Sequence, residues 1–151
     1  MYKKILVPLD TSELAECALS HVKNLVKDGA VGEVILLNVF HVHVYRGGEM
    51  AGYLDIKSIR ENMSEDSRKY LADVESRLAY EGIKVKTVSL EGNRPSDTIS
   101  DYAQDNGVDL IVIASHGYTG LKKLMLGSVA LGVLHDSRIP VLLIRPESCG
   151  K

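Results

Sequence analysis

Several features that would point to a function early are scarce in this chain. Its 151 residues include only two cysteines, Cys17 and Cys149, which show neither metal-ligand spacing nor a C-x-x-C pair, so reduced thiols are expected. An excess of one charge is also missing. With 18 Lys and Arg against 20 Asp and Glu, the net charge of -2 offers nothing to hold a nucleic acid backbone or an anionic membrane. Long apolar runs are absent too. The segment Leu124 to Leu134 falls well short of the roughly 20 residues that span a bilayer, so no membrane partner is expected. The N-terminus enters a strand pattern at once (Tyr2, Lys3, Lys4, Ile5, Leu6, Val7) without the charged, apolar and small regions of a secretory signal. A cytoplasmic location is the expectation. Neither G-x-G-x-x-G nor G-x-x-x-x-G-K-[ST] occurs, which removes the dinucleotide and P-loop readings.

What is present suits one ordinary domain spanning residues 1–151, with 45% hydrophobic residues available for a core. Strand signals at Lys4 to Pro8, Val34 to Phe40, Val85 to Leu90, Leu110 to Ala114 and Val141 to Ile144 alternate with helical patterns. That alternation predicts an α/β fold with a parallel sheet. A first helix should follow Thr11 and Ser12, with Leu14, Ala18, Leu19, Val22, Leu25 and Val26 on one stripe and Gly29 and Gly32 ending it. A longer helix is expected from about Ile56 to Tyr80, burying Ile59, Met63, Leu71, Val74 and Leu78, with Gly82 as its stop. Pro95 sits at the first turn of a third helix, and Ser128 opens a fourth that ends before Pro140. Tyr45 to Leu54, with three glycines and no periodicity, reads as a surface loop able to close over a ligand.

The stretch Asp109 to Ser128 carries the most chemistry. Leu110, Ile111, Val112, Ile113 and Ala114 form an uninterrupted apolar run, the mark of a central parallel strand covered on both faces. Ligands of such sheets sit at the carboxyl ends of the strands. Gly117 and Gly120 then allow the chain to turn and a bulky group to approach, and Gly127-Ser128 opens a helix with free N–H groups and a positive dipole end.

These residues resemble the universal stress protein family, whose nucleotide-binding members carry G-x-x-G-x(9)-G-[ST] at this place. Here the pattern reads Ala114-Ser115-His116-Gly117, nine residues, then Gly127-Ser128, so Ala114 stands where the first glycine is expected and adds a methyl group. The resemblance covers nearly the whole chain. It implies a five-stranded parallel open sheet with helices on both faces, in strand order 3-2-1-4-5. It also implies a bound ATP or AMP, with Mg2+ held mainly through the phosphates. Pro8, Leu9 and Asp10 follow the first strand, and the resemblance assigns the aspartate to the ribose; helix capping with Glu13 is the plainer alternative. Val39 is implied at an adenine slot, against a plain core valine. Ser115, Gly117, Gly127, Ser128 and Val129 are implied at the phosphates and ribose, with Ser128 also read as the helix cap.

His116 lies inside the glycine loop, where an imidazole is able to donate to a phosphate or to shuttle a proton. His41 and His43 alternate along one strand direction, yet no acidic residue or cysteine stands at metal-ligand spacing beside them. Lys122 and Lys123 read as solvated. The chain also lacks the Ser-Gly-Gly-x-Asp-Ser loop of ATP pyrophosphatases and the His-x-Gly-His signature of nucleotidylyl transferases, which share this sheet plan. The apolar last strand, Val141 to Ile144, is implied at the sheet edge, where the family pairs it with its copy across a two-fold axis. Three functions stay open: an ATP-binding homodimeric sensor of stress, a slow ATP hydrolase, and a homodimeric interaction protein that no longer binds nucleotide.

Overall fold

Apolar side chains of both parities along the strands require cover on both faces of the sheet, and the fold supplies it. The computed structural model describes residues 1–43, 53–116 and 126–146. Five strands, β1 (Tyr2–Pro8), β2 (Val31–Phe40), β3 (Lys86–Glu91), β4 (Leu110–Ala114) and β5 (Val141–Ile144), form one parallel sheet in the order β3-β2-β1-β4-β5. Helices α1 (Glu13–Glu16), α2 (Ala18–Lys27) and α3 (Tyr53–Tyr80) cover one face, and α4 (Pro95–Asp105) and α5 (Ser128–Asp136) cover the other. Ile5, Val7, Leu36, Val112 and Leu71 belong to the first core, while Leu6, Ile35, Leu37, Ile111 and Ile113 belong to the second. Each such side chain, fully buried, stabilises the fold by about 1.5–3 kcal/mol.

The predicted first helix is divided at Cys17. Its dihedrals stay helical (φ -55, ψ -30), but its N–H is drawn 3.3 Å to the carbonyl of Leu14, three residues back, and the α-helical ladder is interrupted there. Gly29 ends α2 in the left-handed region at φ 70, as a glycine can at no steric cost. Gly32, by contrast, does not terminate the helix. It lies within β2, where an added Cβ would stand 2.8 Å from the carbonyl oxygen of Lys3 on β1. Helix α3 begins earlier than its pattern suggested and takes in Tyr53 and Leu54 of the expected loop; residues 44–52 lie outside the described residues. Ile59, expected on the buried stripe of α3, is 46% exposed, because close packing on the sheet is confined to Ser67, Leu71, Val74 and Leu78 in the second half of the helix.

Cys17 also departs from the expected free thiol: its sulfur is in disulfide linkage. The returning chain also brings the carbonyl of Pro146 to 4.0 Å from Cys17 Sγ, a proximity that sequence spacing hides. Cys149 lies outside the described residues. Strand β5 is at the sheet edge, paired with β4 alone among the described residues. No described helix is long and apolar enough to cross a membrane.

Candidate functional site

Strand order reverses beside β1: the chain moves from β1 to β2 on one side and later places β4 on the other. Loops leaving the carboxyl ends of β1 and β4 therefore diverge, and a crevice opens between them. A cavity of about 220 Å3 occupies this position. Its walls come from Pro8, Leu9 and Asp10 after β1, Val39 on β2, Ala114, Ser115 and His116 at the end of β4, and Gly127, Ser128 and Val129 at the start of α5. All of these were singled out in the sequence. Gly117, Gly120, Lys122 and Lys123 lie outside the described residues.

Other lining residues were missed: Ala15, Leu37, Pro95, Ile99, Ile113 and Ala130. Leu37 was accessible in principle, because it lies two residues from Val39 and strand alternation turns both to the same face. Pro95 and Ile99 had no such signal, since only tertiary packing brings α4 to the strand tips. Gly92 explains how α4 comes so near. A Cβ there would overlap Thr98 Oγ1 and lie 3.2 Å from Val39 Cγ1. On the β2 and α4 side the wall is apolar and suits a flat ring; on the β1, β4 and α5 side it carries polar groups.

Local chemistry shapes the polar side. Asp10 does not cap α1 directly. Ser12 is the N-cap, its Oγ accepting from Ala15 N at 3.0 Å, and Asp10 Oδ1 accepts from the backbone N–H (3.0 Å) and the hydroxyl of Ser12. The capping reading is thus corrected: the hydroxyl two residues on fits the cap geometry, and the carboxylate orients it. Thr11 between them has φ 71, the one non-glycine among the described residues in the left-handed region. A β-branched residue adopts that conformation at a cost of roughly 1–3 kcal/mol, a strain typical of ligand-binding turns.

At the β4 tip, Ser115 N–H continues the ladder to Ile144 O (2.8 Å), and Ser115 O accepts from Gly127 N–H (2.7 Å). This second bond folds the chain back so that α5 starts against the strand tip. Gly127 (φ -61, ψ 152) is the N-cap, with no side chain to offer. Ser128, read from the sequence as the cap, is instead the first helical residue, because the extended cap conformation falls one position earlier. The first intrahelical bond of α5 runs from Leu131 N–H to Gly127 O at 2.9 Å. The amides of Ser128, Val129 and Ala130 precede it, have no helical acceptor, and belong to residues that line the cavity. With the positive end of the helix dipole, they favour an anion there.

Buried Ser115 places its Oγ 2.8 Å from His116 Nδ1, while His116 Nε2 is buried without a hydrogen-bond partner among the described residues. As a nucleophile and base the pair is poorly equipped, since no carboxylate orients the imidazole among the described residues. His41 and His43 pack edge to face with ring centroids 4.3 Å apart, and no cluster of three or more metal-ligating side chains occurs among the described residues.

Comparison with known proteins places this geometry. The sequence profile of the universal stress protein family matches residues 1–145. The chain belongs to the universal stress protein family. It is 37% identical to universal stress protein MJ0577 of Methanocaldococcus jannaschii over 98% of each chain. The solved structure of MJ0577 superposes with a TM-score of 0.79, covering 96% of both chains. Universal stress protein YxiE of Bacillus subtilis is 32% identical, over 96% of this chain and all (100%) of its own. The strand order implied by the family resemblance is the observed one.

Proposed function

We propose that this universal stress protein binds an adenine nucleotide, ATP or AMP, in the crevice between the β1 and β4 tips and acts as a homodimeric sensor or switch in the stress response. The observation that carries the reading is the convergence, in one cavity, of an apolar slot, a carboxylate and an uncapped helix N-terminus. The base enters between Val39, Leu37, Pro95 and Ile99. Asp10 accepts from the ribose hydroxyls. The phosphates meet the amides of Ser128, Val129 and Ala130, with Mg2+ bound through the phosphates themselves. Ala114 contributes its methyl group to the wall without closing the cavity.

Two more distant structures of the same fold, each 18% identical to this chain, hold cAMP and, in a protein of Arabidopsis thaliana, AMP. Those ligands belong to those proteins; the case here rests on this chain's own cavity. The test is to denature freshly purified protein, chromatograph any released nucleotide, and titrate adenosine, AMP and ATP into stripped protein. Release or binding of an adenine nucleotide near one per chain is expected. A stripped, folded chain that takes up none of the three at millimolar concentration contradicts the proposal.

The dimer has its own motive. Leu142 on β5 and Leu131 and Leu134 on α5 are 37%, 54% and 40% exposed, and β5 has no partner on its outer edge among the described residues. Pairing β5 with its copy would cover them. Light scattering on the wild type and on Leu142→Lys checks this, with a dimer expected from the first and a monomer from the second.

A further inference from the structure

On the side of β2 away from the cavity, a buried amide stands among apolar neighbours. Asn38 is 5% exposed. Strand alternation turns Leu37 and Val39 toward the cavity and α4, so Asn38 shares its face with Val34 and Leu36 and looks toward α3. Its Nδ2 donates to the carbonyl oxygen of Leu9 at 2.7 Å, and its Oδ1 accepts from Ser67 Oγ of α3 at 2.6 Å. Ser67 Oγ lies 2.6 Å from Ser89 Oγ on β3. Valence fixes the directions. A carbonyl only accepts, so the NH2 of Asn38 must face Leu9. The single hydroxyl proton of Ser67 goes to Asn38, so Ser89 donates to Ser67.

A leucine of similar size would suit those neighbours and avoid burying an amide, which is costly unless the amide is fully bonded. The amide is explained by what it grips. Leu9 N–H already donates to Leu37 O at 2.8 Å, so Leu9 is held at both ends. Its carbonyl belongs to the peptide that leads into Asp10, just ahead of the strained turn at Thr11. Three elements, β2, β3 and α3, thus converge through hydrogen bonds on the peptide that aims the carboxylate.

We infer that Asn38, set by Ser67 and Ser89, is a positioning residue that fixes Asp10 for recognition of the ribose hydroxyls of a bound ribonucleotide. It touches no ligand itself, and the inference rests on the nucleotide reading above. The experiment titrates ATP and 2′,3′-dideoxyATP into the full chain as wild type, Asp10→Ala, Asn38→Leu, Ser67→Ala and the Asp10→Ala/Asn38→Leu double variant. The readout is the ratio of the two affinities, which a loss of stability alone does not move.

The wild type is expected to prefer ATP by about tenfold or more, the worth of a hydrogen bond to a charged group. Asp10→Ala and Asn38→Leu should each bring the ratio close to one, and the double variant should lose nothing beyond Asp10→Ala. Ser67→Ala keeps the Asn38 amide in place but releases its oxygen, so a smaller fall is expected. That milder variant decides the matter if Asn38→Leu does not fold. A preference left intact in folded Asn38→Leu or Ser67→Ala, or additive losses in the double variant, overturns the inference alone. Equal wild-type binding of both nucleotides removes the ribose role, and no binding of ATP by the wild type overturns the nucleotide reading with it.

Discussion

Helices α1 and α5 both begin at the carboxyl edge of the sheet, one after β1 and the other after β4, yet their first turns are finished in opposite ways. In α1, Ser12 accepts the N–H of Ala15, and Asp10 holds Ser12. Further along, the Glu16 carboxylate receives the Tyr70 hydroxyl (2.9 Å) and the Arg77 guanidinium from α3. Side chains of the protein close that helix start. In α5 the cap is a glycine, and the first amides, on residues that line the cavity, have no side-chain cap among the described residues. The same backbone device is used for stability at one rim and left open at the other. In the binding mode proposed above, an anion is favoured at α5, while the β1 side presents a carboxylate, which repels phosphate and attracts hydroxyls. The polarity of the crevice follows from which N-cap carries a side chain.

Converting the open end into a closed one is the strongest way to break this contrast. Gly127→Asp places a carboxylate on the α5 amides, so nucleotide affinity should fall about a hundredfold as the phosphate hydrogen bonds are lost. The helix itself should gain a few tenths of a kcal/mol from the better cap. Calorimetric titration beside thermal melts reads the two opposite signs. Affinity and stability falling together would mean a damaged fold instead.

The reverse change, opening the closed end, should act on stability. Ser12→Ala removes the α1 cap and is expected to cost about 1 kcal/mol in denaturant melts. The affinity gained by adding phosphates, measured as ATP against adenosine, should stay near the wild-type value.

Smallest is Tyr70→Phe, which sharpens the account of how α3 holds α1. About 0.5 kcal/mol should be lost near neutral pH, less than the usual worth of a bond to a charged group because the Arg77 guanidinium still occupies the Glu16 carboxylate. Burial raises the Tyr70 phenol above its ordinary 10, and the bond to Glu16 and the charge of that carboxylate raise it further. Its folded-state value lies above the unfolded one, so this stabilisation is fully present below pH 10 and is lost as the pH climbs beyond it. Melts of wild type and variant should therefore converge in alkali.

Legibility in the sequence varied with how local the cause was. The run Leu110–Ala114 reads directly as a doubly covered strand, and burial of every one of its residues bears that out. Helix α4 with Pro95 in its first turn was equally plain. Strand order was not readable from periodicity; it came from the family resemblance. The helix break at Cys17 is a matter of which carbonyl one N–H reaches, below the resolution of any hydrophobic pattern. At Gly127-Ser128 both residues are good caps, and backbone dihedrals alone choose between them. Pro95 and Ile99 enter the cavity wall because Gly92 lets α4 close on Val39, a tertiary fact. Asn38 did leave a trace, one amide in the otherwise apolar run Val34 to Phe40, but its partners Leu9, Ser67 and Ser89 are distant in the chain.

The most direct test of the central claim is amide chemical-shift mapping of 15N-labelled protein during titration with ATP and then with adenosine. The account predicts that the largest ATP-dependent shifts fall on Ser128, Val129 and Ala130, that adenosine fails to reproduce them, and that the capped amide of Ala15 moves little. Shifts centred on α1, or equal shifts from adenosine and ATP at the α5 amides, would contradict it.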